Sequence, residues 1–141
     1  MYTVFALGSR ALEGDSIALD ACLLLAGKIN GVDFAECASL DEVIALAGQK
    51  NERRLVVVDA VVGLTQPRMF EGLDCFENNR PSSAHDFDAG FFLKIAKESG
   101  LIDEVIVIGL PRAMKKEEAA LAVRTMLEEF FSIGSQPVGK L

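Results

Sequence analysis

The chain has 141 residues, half of them hydrophobic, and a formal net charge of -7. That length supports one domain, residues 1–141, with a full hydrophobic core, and the acidic balance argues against binding nucleic acid or an anionic membrane. Three cysteines without a CxxC, a start without a basic leader and an apolar run, LDACLLLAG, too short to span a bilayer make a reducing cytoplasm the simplest compartment.

TVFALG (3–8) reads as a buried strand ending at Gly8. SIALDACLLLAGKI (16–29) is apolar on nearly every side, which predicts a buried helix. VDFAEC (32–37) reads as a strand. Ser39 and Glu42 have capping-box spacing, so a helix is expected from there to about Gln49. RLVVVDA (54–60) is the clearest strand, and its valine run suggests a central position covered on both faces. MFEGLDCF (69–76) follows Gly63 and Pro67 after a short connection, so an antiparallel strand is expected there. ENNRPSSAH (77–85) is loop by composition. A helix is predicted from about Asp86 to Ser99, with Gly100 as its C′ residue, and EVIVIGL (104–110) is a buried strand stopped by Pro111. The last helix starts near Lys115. Its apolar stripe holds Ala119, Ala122, Val123, Met126, Leu127 and Phe130, and SQPVGKL follows as a loose tail. This alternation predicts an α/β class, a three-layer α/β/α sandwich with a mostly parallel sheet.

Open sheets of this kind bind ligands beyond the carboxyl ends of their strands. The rule selects Gly8 to Asp15, Asp59 to Gly63 and the turn after Gly109. The loop of His85, the only histidine, can reach the same edge. Each candidate also has a plain reading. Asp15 sits where a helix N-cap would be, Asp59 can cap a loop, and a lone loop histidine can simply be hydrogen-bonded or exposed. Together, two carboxylates and an imidazole suit a borderline divalent metal such as nickel or zinc with coordination positions left open. Asp86 and Asp88 could orient the His85 ring or simply favour a helix N-terminus. GSRALEGD is neither GxGxxG nor a P-loop, and no GxSxG occurs, so dinucleotide, nucleotide and α/β-hydrolase readings fail. No cysteine neighbours His85 in sequence, and Cys22 is expected to pack as a small hydrophobe.

In order and context the chain resembles the hydrogenase maturation proteases. The residues that carry the resemblance are Gly8 and Asp15 in a Gly-x6-Asp turn, Val56-Val57-Val58-Asp59-Ala60 with Gly63 and Pro67 after it, Ser82-Ser83-Ala84-His85 ahead of a helix, and Gly109-Leu110-Pro111. The resemblance implies a twisted five-stranded mixed sheet between helices. It implies that Asp15, Asp59 and His85 form a nickel-sensing, catalytic site, reading nickel carried by the substrate. It further implies that the partner is a nickel–iron hydrogenase large-subunit precursor, whose C-terminal extension is removed beside its CxxCxxH/R motif. Three departures stand out. Ser9 follows Gly8 where the family has Asn, Gly14-Asp15-Ser16 carries one acid where the family has an Asp-Asp pair followed by Gly, and Arg68 follows Pro67 in place of Gly. A non-proteolytic homologue that binds a nickel-bearing partner or a small ligand is the alternative.

Overall fold

The computed structural model describes residues 2–12, 14–71, 94 and 96–135. Among them, five strands form one sheet: β1 (Tyr2–Leu7), β2 (Val32–Cys37), β3 (Arg54–Ala60), β4 (Arg68–Glu71) and β5 (Glu104–Leu110). The helices are α1 (Ile17–Leu25), α2 (Leu40–Gln49) and α3 (Lys116–Ser135), and residues 96–98 are also helical.

The strand order is β2-β1-β3-β5-β4. The first four strands in that order are parallel, and β4 runs antiparallel on the outer side of β5, with Arg68 opposite Gly109 and Glu71 opposite Ile106. The expected antiparallel strand is therefore present, starting one residue early. Residues 72–76 of that expectation lie outside the described residues, as do the 77–85 loop, most of the predicted Asp86–Ser99 helix and the tail from 136.

Alternation along the strands builds the layers, because successive side chains point to opposite faces. Val4, Ala6, Val56, Val58, Ile108 and Leu110 face α1 and α3. Phe5, Leu7, Leu55, Val57, Val105 and Val107 face α2, Ala96 and Ile102. The two clusters make the three-layer sandwich. β3 lies at the centre, with Leu55 to Val58 buried, which explains its valine run: both faces are covered. Each fully buried side chain of this size contributes about 1.5–3 kcal/mol.

Local signals end the elements. Ser39 is the N-cap of α2, and its hydroxyl accepts from the Glu42 N–H at 3.3 Å. The Glu42 carboxylate reaches back to accept from the Ala38 N–H at 2.6 Å, one residue earlier than the standard capping box places it. Gly100 has φ +86, its N–H donates to the Lys97 carbonyl, and the Leu101 N–H donates to that of Ala96. This pair of bonds is a Schellman stop, as expected of Gly100. α1 is shorter than the predicted 16–29. Ala26 leaves helical geometry (ψ 128) and Gly27 turns at φ +76. An apolar pattern on all sides of a helix cannot mark its own end.

No helix among the described residues is long and apolar enough to cross a membrane.

Candidate active site

β1 is followed by α1 on one face of the sheet and leads outward to β2. The chain then passes through α2 on the other face to β3, on the opposite side of β1. Strand order therefore reverses between β1 and β3, and the crevice of an open α/β sheet lies at that point, beyond the carboxyl ends of the two strands. Ala6 pairs with Val58 across this junction. The turn that carries Asp15 leaves β1 immediately above that pair, and Asp59 follows Val58 on β3. The structure thus brings both predicted carboxylates to the switch point.

Asp15 is held by its backbone. Its N–H donates to the Leu12 carbonyl at 3.1 Å, and its own carbonyl accepts from the Ser9 N–H at 3.1 Å. That carbonyl folds down onto Gly8, where any Cβ would be driven into the Asp15 oxygen. The Gly-x6-Asp spacing thus has a physical cause, since only glycine lets the turn close this tightly. Two further anchors fix the turn from outside. The Arg10 guanidinium pairs with Asp20 of α1 at 2.7 Å and Glu36 of β2 at 2.5 Å. Arg112, beyond the end of β5, donates from Nε to the Gly14 carbonyl at 3.2 Å.

The helix-cap reading of Asp15 is not what the structure shows. The N-cap of α1 is Ser16, and Asp15 precedes it. Ser16 does not cap with its side chain either; its hydroxyl donates to Asp20 Oδ2 at 3.2 Å. The cap position is taken by the next residue.

Asp59 is half-buried at the end of β3, opposite Gly109 of β5. Gly109 is needed because a Cβ there would meet Phe70 and Val61 at 2.9 Å and Leu64 at 3.0 Å. The bare backbone lets the connection after β3 pack across β5, so the Gly-x-Pro element is also structural. Asp59 is not without an interaction in the fold, and a half-buried carboxylate is costly unless it is compensated. His85, Asp86 and Asp88 lie outside the described residues. Among the described residues, no three side chains of metal-ligating type are grouped closely enough to hold an ion by themselves, so a three-ligand set at this edge would need a donor from elsewhere.

Both described thiols are inert. Burial pushes the Cys22 thiol up to about 12, helped by the Glu36 charge, and burial with Glu42 pushes Cys37 up to about 11. A thiolate nucleophile needs the opposite shift, so neither is a candidate. Cys22 packs in the core as expected of a small hydrophobe. Sequence reasoning did not single out Arg112. The signal was a cation directly after Gly109-Leu110-Pro111, in the turn the carboxyl-edge rule had already selected.

No family model matches the chain, and no curated protein matches it by sequence. Its architecture is matched by solved structures. The hydrogenase maturating endopeptidase HybD from E. coli superposes with a TM-score of 0.66 at 15 % identity, over 92 % of this chain and 93 % of that one. The NiFe hydrogenase maturation protease HybD from Thermococcus kodakarensis gives 0.60 at 22 % identity, over 93 % and 99 %. HycI from Thermococcus kodakarensis KOD1, also a NiFe hydrogenase maturation protease, gives 0.62 at 16 % identity, over 90 % of each chain. The chain has the fold of the hydrogenase maturation proteases, as the resemblance implied, with a five-stranded mixed sheet between helices.

Proposed function

We propose that this protein is an endopeptidase that trims a C-terminal extension from a nickel-loaded hydrogenase large-subunit precursor. One observation carries the reading: two acids sit at the switch point of a sheet with the maturation-protease fold, one on a turn closed over Gly8 and one at the end of the central strand. Two carboxylates with the His85 imidazole form an oxygen-and-nitrogen set suited to nickel presented by the substrate. A metal so presented supplies Lewis acidity at the scissile carbonyl. Asp15 or Asp59 accepts a proton as water adds to that carbonyl, and a proton passes to the departing amine as the C–N bond breaks. A reducing cytoplasm is the compartment that goes with this reading.

The test is incubation with the cognate nickel-loaded precursor, followed by intact-mass measurement of its C-terminus. Asp15→Asn, Asp59→Asn and His85→Ala should each abolish the shortened product while retaining the far-ultraviolet circular dichroism of the parent. Unimpaired processing by any of the three would remove that residue from the mechanism. A second reading draws on Gly14, which stands where the family's Asp-Asp pair has its first acid, with the Arg112 cation against it. In that reading the protein binds the nickel-bearing partner without cutting it. Complex formation with an unchanged precursor mass would establish it.

A further inference from the structure

We propose that Arg112 is the positioning residue of this site, fixing the backbone on either side of Asp15 so that its carboxylate is presented at the switch point. The inference rests on reading this edge as the active site. The peptide unit between Gly14 and Asp15 is planar and has two polar ends. Its N–H end donates to the Leu12 carbonyl at 3.1 Å, and its C=O end accepts from Arg112 Nε at 3.2 Å. The following peptide unit is held through the Asp15 carbonyl by the Ser9 N–H at 3.1 Å. The Asp15 Cα is thus the pivot between two pinned planes. With both planes fixed, its φ and ψ are fixed, and so is the direction in which Cβ leaves the backbone.

Of the three bonds, only the one from Arg112 comes from outside the turn, bridging 98 positions in sequence. The other two join neighbours on the same turn and would travel with it. Arg112 ties the turn to the end of β5, whose strand is buried from Val107 to Leu110. Gly14 makes that tie necessary. It sits at φ +79, a region glycine enters at no cost and leaves as easily. Its open side is filled by the arginine: a Cβ at position 14 would meet Nη2 at 2.8 Å, Nε at 3.0 Å and Cζ at 3.2 Å. The guanidinium is therefore packed on the hinge as well as bonded to it.

Hydrogen–deuterium exchange of the intact free protein, read by mass spectrometry, tests the positioning without any substrate. Arg112→Ala should speed exchange of the Ser9 and Asp15 amides by about 5- to 10-fold, the factor for one net hydrogen bond, and leave β3 and α3 unchanged. With the nickel-loaded precursor, the same variant should lower kcat by a similar factor and keep KM within about twofold, because the substrate still binds while the carboxylate is misplaced. Arg112→Lys keeps the charge and loses the planar Nε–H, so it should stay nearer the Ala variant than the parent. Unchanged exchange around the turn, or full recovery by Lys, would overturn the proposal. If the parent protein cuts no precursor, the endopeptidase reading fails while the exchange result still decides the role of Arg112.

Discussion

Gly8→Ala is the sharpest stability test of how the candidate site is built. Gly8 is not in the left-handed region, so the substitution adds no backbone strain of that kind. What it adds is a methyl group directly against the Asp15 carbonyl oxygen, with Leu19 Cγ 3.5 Å away on the other side. The neighbour that must yield is backbone, which moves only by breaking the Ser9 N–H to Asp15 carbonyl bond of 3.1 Å. Overpacking costs about 1–3 kcal/mol, and the lost bond adds about 1 kcal/mol. The expected loss is about 2–4 kcal/mol. Urea unfolding followed by circular dichroism should show the midpoint falling with an unchanged slope. Gly48→Ala is the control. Gly48 lies inside α2 with open space around its missing Cβ, and alanine there should stabilise by about 0.5–1 kcal/mol. A Gly8→Ala protein within about 0.5 kcal/mol of the parent, the scatter of ordinary surface changes, would refute the close approach of the Asp15 turn to β1.

Ser39→Ala removes the hydroxyl that caps α2 and should cost about 1 kcal/mol in the same unfolding experiment. Cys22 and Cys37 should resist iodoacetamide in the native protein at pH 8 and react on unfolding, because burial holds both thiols neutral. The same shift sets a pH dependence. Cys22 rises from an ordinary 9.0 to about 12, so above pH 9 the unfolded chain loses this proton first and the folded chain retains it. Its contribution to stability is complete below pH 9 and declines as pH rises towards 12, and Cys22→Ala should flatten that part of a stability-against-pH curve.

Much of the fold was legible because apolar runs report their own burial. β2, β3 and β5 occupy the predicted residues; β3 and β5 are short apolar runs bounded by polar or turn residues, whereas β2 carries Asp33 and Glu36 and is buried only at its ends. The buried stripe of α3 is present, with Ala119, Val123 and Leu127 buried and Ala122, Met126 and Phe130 half-buried beside them. Asp15 and Asp59 lie at the carboxyl ends of β1 and β3, the edge the sheet rule selects, because that rule depends on topology, which the alternation of elements carried. Less was legible where the outcome depends on contacts between distant residues. Asp15 looked like a helix cap because capping preference is a one-residue signal, and a tight turn onto Gly8 shifted the cap to Ser16. The tie from Arg112 to Gly14 joins residues 98 positions apart in sequence and leaves no periodic trace. Gly8 and Gly109 were legible as motif positions, but their reason, backbone and side chains packed where a Cβ would stand, exists only in three dimensions.

The central claim is that Asp15, Asp59 and His85 converge on one metal at the switch point between β1 and β3. Anomalous diffraction from crystals soaked in cadmium or nickel tests it most directly. The account predicts a peak bounded by the two carboxylates and the His85 imidazole, at ligand distances of about 2–2.4 Å. An ordered crystal in which these three side chains stand too far apart to share an ion, or a peak on other residues with none at this edge, would contradict it.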